Sequence, residues 1–190
     1  MKSSFSGDVI LLRLRSPYLF NATLYVLATL GANYTAAWFI PFPIFGQVAV
    51  GTFIFGFTFT QRDRLHSAGR QWVYGTIAVA ALANVLMSAT LAVPLRIIAA
   101  SFLAIVLAET ADTEIYQRLL RFPWLVRVAG SNAVSIPLDT LLFTLVAFAG
   151  VLSTTEMVSL LFGEIVTKFA IGLLAALWRD GKFVWQTRRA

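Results

Sequence analysis

Long apolar runs follow one another along the chain, separated only by short polar links. Hydrophobic residues make up 58% of the 190 residues and charged residues only 13%, whereas charged residues average roughly 25% in soluble domains. A water-soluble chain of this length leaves much of its surface facing water and cannot bury so many apolar side chains. The runs therefore predict a protein whose solvent is lipid.

The apolar runs are long enough for six membrane-spanning helices, which predicts an all-α, six-transmembrane-helix bundle. A helix needs about 20 residues to cross the roughly 30 Å hydrocarbon core of a bilayer. Pro41 and Pro43 separate the first two spans and Pro94 separates the third from the fourth, because proline cannot donate to a helix ladder. We expect one transmembrane domain over residues 1–190, with the spans 18–40, 43–60, 71–93, 95–113, 128–150 and 157–178.

The basic residues predict the direction in which the chain crosses. All fifteen lysines and arginines except Arg96 and Lys168 fall into four clusters, which precede the first span and follow the second, fourth and sixth. If every span crosses once, the four clusters share one side, and the positive-inside rule assigns that side to the cytoplasm. We therefore expect a multi-pass protein of the inner (plasma) membrane whose ends, 1–17 and 179–190, are basic and cytoplasmic.

Several function classes are excluded by what the sequence lacks. The net charge of +6 does not indicate nucleic-acid binding, because the basic residues lie between apolar runs. There is no cysteine and His66 is the only histidine, which excludes thiolate metal sites and the His-Glu-x-x-His zinc motif. A Gly-x-Ser-x-Gly elbow and a Walker-type loop are also absent. We expect no enzymatic activity, catalytic residue, metal or cofactor.

Ionisable and amide residues inside the fourth and fifth spans predict a polar ligand site. An ionisable residue in a span is costly and is a functional hypothesis by default. Glu109 and Asp112 are three residues apart and share one helix face, while Asn132, Ser135 and Asp139 follow i, i+3, i+7 spacing along one stripe. Helix packing through hydrogen bonds is the alternative for Asn132 and Ser135.

The sixth span carries an acid and a base at i, i+4 spacing. Glu164 and Lys168 lie on one face, with Lys168 near the middle of the span. A bare ammonium there is implausible, so Lys168 should pair with Glu164, with Asp139 or with both, or else lose its proton. These three residues are candidates for a proton relay, and an ion pair that only joins helices is the alternative.

The polar residues resemble the core pattern of a known family. The segment Ala-Glu-Thr-Ala-Asp-Thr-Glu-Ile-Tyr at 108–116, followed by the Ser131–Asp139 stripe and the Glu164–Lys168 segment, resembles the queuosine precursor transporters, also called the vitamin uptake transporter (VUT) family. The order and spacing agree over about residues 43–178. The segment from the fourth to the fifth span carries most of the specificity.

The resemblance implies import of 7-cyano- or 7-aminomethyl-7-deazaguanine. A carboxylate of Glu109 or Asp112 can accept the ring N–H and the exocyclic amine of a guanine-like edge together, and Asn132 can bond the remaining edge. Asp139 can pair with a cationic aminomethyl group. An aromatic side chain can stack on the ring, and the candidates are Phe102, Tyr116 and Phe143.

Two modes of action stay open at this point. The chain is either a carrier for a small purine-like solute, driven by protons or by facilitated diffusion, or the substrate-capture subunit of an energy-coupling-factor vitamin transporter that needs ATPase partners. Both place the chain in a lipid bilayer and neither involves nucleic acid. A homo-oligomer is compatible with either.

Overall fold

A computed structural model describes residues 5–42, 46–179 and 182–183 of the chain. Helices dominate this part of the chain, which confirms the prediction of an all-α, membrane-like fold. The helices are α1 Phe5–Tyr34, α2 Val50–Leu65, α3 Arg70–Thr90, α4 Leu95–Arg118, α5 Trp124–Phe148 and α6 Thr154–Leu177, with a 3₁₀ turn at His66–Ala68. Two short strand pairs accompany them, namely β1 Phe39–Phe42 with β2 Gly46–Ala49, and β3 Trp178–Arg179 with β4 Lys182–Phe183.

Short links make consecutive helices run in opposite directions. Arg96, at the start of α4, donates from Nε to the carbonyl oxygen of Val146 near the end of α5 (2.6 Å). At the opposite end of the bundle, Trp124 at the start of α5 donates to the carbonyl oxygen of Ala176 near the end of α6 (3.2 Å). We call the end that holds β1 and β2 the hairpin end, and the end that holds the α2–α3 and α4–α5 links the basic end.

The link between α1 and α2 differs from the simple proline joint that the sequence predicts. α1 ends at Tyr34 and α2 begins only at Val50, while β1 and β2 pair antiparallel from Phe39 opposite Ala49 to Phe42 opposite Gly46. The prolines explain the hairpin, since Pro41 cannot donate to a helix ladder but is tolerated in an edge strand.

α2 also extends four or more residues beyond the predicted end of the second span at residue 60. It continues to Leu65 and carries Arg62 and Asp63 into the interior, where their side chains are fully buried. The sequence analysis placed Arg62 in the basic cluster that follows the second span, whereas it lies inside α2. Its guanidinium is compensated there by Glu109 and Asp112 of α4.

The bundle buries several charged side chains and exposes large apolar ones on its perimeter. Phe20 and Leu86 are each 68% exposed and Leu95 is 80% exposed, whereas Glu109 and Asp112 are 0% exposed. Charged residues are almost never buried in water-soluble proteins, and large exposed apolar surfaces are rare there. The helices α3, α5 and α6 are long and apolar enough to cross a membrane by length and composition. Lipid around the perimeter explains this distribution.

Gly51 sets how closely α1 and α2 approach. A Cβ atom at residue 51 would lie 2.2 Å from the carbonyl oxygen of Ala32 in α1. No side chain fits there unless the two backbones separate.

We therefore expect Gly51→Ala to lower the free energy of unfolding by about 1–3 kcal/mol, the usual cost of overpacking. Gly75→Ala is the matched control, because a Cβ there meets nothing within 4 Å and alanine favours a helix by up to about 1 kcal/mol. Unfolding of both variants in mixed micelles measures the difference. Equal stability of Gly51→Ala and wild type would contradict the close contact.

Candidate functional site

A buried arginine lies among three carboxyl groups on two helices. Arg62 of α2 donates from Nη1 to Glu109 Oε2 of α4 (2.5 Å), and its Nη2 lies 2.7 Å from Asp112 Oδ2 and 3.4 Å from Asp63 Oδ1. All four side chains are at most 1% exposed. We call these residues the Arg62 cluster. Its guanidinium is matched to carboxylates because its fork of donors binds two of them at once.

The stripe predicted on α5 meets this cluster. Ser135 donates its hydroxyl to Asp112 Oδ1 (2.6 Å), so the predicted faces of α4 and α5 are in contact. Asn132 is 4% exposed, and its Nδ2 lies 3.4 Å from where a Cβ at Gly172 of α6 would be. Its Oδ1 has no hydrogen-bond partner among the described residues. Because Gly172 has no side chain, the amide of Asn132 can approach the α6 backbone closely.

Lys168 forms a second ionic group, nearer the hairpin end. Its Nζ lies 2.8 Å from Asp139 Oδ2, 3.3 Å from Glu164 Oε2 and 3.0 Å from Thr140 Oγ1. We call these four residues the Lys168 cluster. The predicted pairing of Lys168 is present with both acids, and Thr140 is an additional partner. The ammonium also lies 5.6 Å from the ring centroid of Phe55.

A partly open cavity extends from the Lys168 cluster toward the hairpin end. Its walls come from α1, α2 with the end of β2, α4, α5 and α6. The charged or aromatic residues that line it are Phe55, Asp139, Phe143, Glu164 and Lys168.

The structure divides the predicted site residues between two layers. Asp139, Phe143, Glu164 and Lys168 line the cavity. The remaining five do not line it and lie closer to the basic end; they are Glu109, Asp112, Tyr116, Asn132 and Ser135.

The cavity has a polar wall that the sequence analysis missed. Asn84 of α3 donates to the hydroxyl of Ser101 in α4 (2.8 Å), and Ser101 in turn donates to Asn33 Oδ1 of α1. Asn33 and Ser101 line the cavity. Their polarity within apolar runs was the available signal, since buried amides need hydrogen-bond partners.

Aromatic residues close the basic end. Tyr116 is 2% exposed and stacks on His66 with ring centroids 4.1 Å apart, while the Arg127 guanidinium lies 5.4 Å from the tyrosine ring. Tyr116 is therefore already stacked on protein groups in this conformation. Phe102, another predicted stacking residue, is 38% exposed on the perimeter and does not line the cavity.

The interior holds more carboxyl groups than cations. Among the described residues, the buried acids are Asp63, Glu109, Asp112, Asp139 and Glu164, and the buried bases are Arg62 and Lys168. Glu109 also lies within electrostatic range of Asp139, so the two clusters interact. This excess of acid favours binding of cations, protons or hydrogen-bond donors.

Two comparisons with known proteins are informative. The model of the family described as "Putative vitamin uptake transporter" matches residues 49–178, which is more than half of the chain. A Bacillus subtilis (strain 168) protein named "Probable queuosine precursor transporter" is 35% identical over 86 residues, covering 42% of this chain. The chain spans only 37% of the length of that relative. No solved structure matches the chain.

We expect Arg62→Ala to lower the free energy of unfolding by about 3–5 kcal/mol, because removing one partner of a buried ion pair leaves the other charge uncompensated. Arg70→Ala is the control: Arg70 pairs with Glu114 at the exposed end of the bundle, where an ion pair stabilises little. Denaturant titration in micelles compares the two. Similar stability of both variants would contradict the role of Arg62.

His66 should stay neutral well below its ordinary range. Burial and the nearby Arg62 and Arg127 guanidinium groups lower the pKa of His66 from 6.5 to about 3. The unfolded chain then binds more protons between these values, so stability falls as the pH drops from about 6.5, by up to about 1.4 kcal/mol per pH unit. As the only histidine, His66 gives a single imidazole NMR signal, and titration of that signal near pH 6.5 would contradict its burial.

Proposed function

The chain belongs to the vitamin uptake transporter family, and we propose that it imports a queuosine precursor, 7-cyano- or 7-aminomethyl-7-deazaguanine. Membership makes it a transporter, and its apolar helices make it a multi-pass protein of the cell membrane. The matched family is one of transporters and not of enzymes. The name of the Bacillus subtilis relative supports the choice of substrate, and neither comparison favours the capture-subunit alternative.

The proposal rests chiefly on the cavity that the Lys168 cluster lines. A deazaguanine is planar, with an apolar face and a row of hydrogen-bonding groups along its edge. Phe143 supplies an aromatic wall, and the carboxylates of Asp139 and Glu164 supply acceptors at one end of the same space. A carboxylate that accepts the ring N–H and the exocyclic amine together distinguishes a guanine-like edge from other purines.

The second layer is proposed to receive the solute after the cavity. In the present conformation Glu109 and Asp112 are occupied by Arg62, and Asn132 and Ser135 lie beside them. If Arg62 moves away, both carboxylates become free to accept the same guanine-like edge, and Tyr116 stands between them and the basic end. Import then passes from the hairpin end through the two layers toward the basic end.

The proposed topology has six crossings of one domain, with both ends in the cytoplasm. The basic links and tails at one end of the bundle support it through the positive-inside rule. Of the tails, residues 1–4, 180–181 and 184–190 lie outside the described residues. An impermeant thiol reagent added outside cells should leave Ser67→Cys, in the exposed α2–α3 link, unlabelled.

We propose protons as the driving force, rather than facilitated diffusion. The Lys168 cluster holds two carboxyl groups for one ammonium, which supports a proton relay through Asp139, Glu164 and Lys168. Facilitated diffusion followed by metabolic trapping needs no such excess of acid. A small solute and the lipid bilayer are then the only partners that transport itself requires.

We expect the purified chain alone, reconstituted in liposomes, to exchange a labelled precursor. Asp139→Asn should weaken its binding about 10- to 100-fold, because a hydrogen bond to a charged group contributes about 1.5–3 kcal/mol. Glu156→Gln is the control, since Glu156 is an exposed carboxylate that caps α6 at the hairpin end. Equal affinity of Asp139→Asn and wild type would contradict the proposed site.

A further inference from the structure

We propose that Asp63 is a proton-binding residue that couples movement of the solute to the proton gradient. This inference rests on the proposed transport function and its proton relay, and it names a further residue that binds the coupled proton. That residue is a carboxyl group on α2 in the Arg62 cluster, outside the proposed binding residues.

Asp63 is the least compensated acid of the Arg62 cluster. Its Oδ1 is 3.4 Å from Arg62, whereas Glu109 and Asp112 lie 2.5 Å and 2.7 Å from the same guanidinium. Asp112 also accepts the hydroxyl of Ser135. Asp63 Oδ2 and Glu109 Oε1 are both buried without a hydrogen-bond partner among the described residues, so the longer distance to Arg62 is what distinguishes Asp63 from Glu109.

The electrostatics of this cluster favours the binding of a proton. One guanidinium faces three carboxyl groups, all of them removed from water. A buried ion costs several kcal/mol unless a partner and hydrogen bonds compensate it, and a carboxyl group in that position neutralises by binding a proton. The proton belongs on the acid with the weakest contact to Arg62, which is Asp63.

The groups around Asp63 come from several helices. Arg62 precedes it on α2, Glu109 and Asp112 face it from α4, and Tyr25 of α1 places a buried hydroxyl beside Glu109 and Arg62. That hydroxyl provides a further polar atom close to the acids of the Arg62 cluster.

On α5, Ser135 contacts Asp112, and Asp139 lies within electrostatic range of Glu109 and contacts Lys168 of α6. The ionisable groups beside the cavity therefore interact electrostatically with those of the Arg62 cluster. Near the basic end, His66 remains neutral beside Arg62 and Arg127 and does not replace Asp63 as the proton carrier.

Proton binding changes how Arg62 is held. The carboxylate of Asp63 accepts one proton and becomes a neutral acid, which removes its attraction for Arg62. Release of the proton toward the basic end restores the charge and the attraction. A proton therefore moves inward with the solute, and the state of Asp63 biases the position of Arg62 over Glu109 and Asp112.

The test separates transport from coupling by using two assays on liposomes that hold the complete chain. Exchange of labelled 7-aminomethyl- or 7-cyano-7-deazaguanine at equal concentrations on both sides needs no gradient. Accumulation under an inward proton gradient, together with a pH dye, measures coupling. Wild type, Asp63→Asn, Asp63→Glu and the control Glu114→Gln, at a partly exposed carboxylate outside both clusters, are compared.

We expect liposomes with wild type or Glu114→Gln to accumulate solute and to take up protons with it. Asp63→Asn should keep exchange within about twofold of wild type but lose accumulation, and Asp63→Glu should recover it. Accumulation by Asp63→Asn would overturn the role of Asp63. Exchange by wild type with no response to the proton gradient, or with a response to sodium instead, would overturn proton coupling while leaving the proposed function intact.

A substrate-free measurement covers the remaining cases. Infrared spectra of protein labelled with isotopic aspartate should show a protonated carboxyl band that Asp63→Asn removes. If wild type exchanged no solute, the proposed function would fail, and presence or absence of this band would still decide whether Asp63 binds a proton. Absence of the band from wild type at every pH at which the protein is folded would overturn the inference. This test of wild type holds even if Asp63→Asn does not fold.

Discussion

The cost of burying charge in a lipid-embedded bundle governs this structure. Arg62 and Lys168 are the two buried bases of the described chain, and each lies among acids of its own helix and of one neighbouring helix. Removing either base would leave carboxylates without compensation in a medium of low dielectric constant. The two ionic clusters therefore hold α2, α4, α5 and α6 in register, while apolar contacts with lipid impose little on how the helices are arranged.

The same clusters divide the polar interior into the two layers. The Lys168 cluster lies at one end of a cavity that extends toward the hairpin end, and the Arg62 cluster lies beyond it toward the basic end. The first layer borders the cavity, and in the second the guanidinium of Arg62 lies against Glu109 and Asp112. A carrier needs two polar layers that are not both accessible at once, because access from both sides together would dissipate any gradient. The excess of acid supplies sites that protons or a cationic solute can use.

Much of the site could be predicted from residue spacing. Helical periodicity placed Asp112 and Ser135 on facing stripes, and it placed Lys168 within reach of Asp139 and Glu164; the structure contains these contacts. The burial of Arg62 could not be predicted, because an arginine near a helix end most often marks the cytoplasmic boundary. Its position depends on how α2 begins after the β1–β2 hairpin, which arises from pairing between separate segments. The division into two layers, and the polar cavity wall formed by Asn33 and Ser101, likewise depend on how distant helices pack.

The central claim is that the solute binds in the cavity, which is reached from outside the cell. Ala36, a buried lining residue near the hairpin end, tests it in a chain that has no cysteine of its own. An impermeant thiol reagent is added outside intact cells that produce Ala36→Cys, with and without 7-aminomethyl-7-deazaguanine. We predict that the reagent labels this residue and that the precursor slows labelling, whereas Thr155→Cys on the exposed surface of α6 is labelled at an unchanged rate. Labelling of Ala36→Cys at the same rate with and without the precursor would contradict the account.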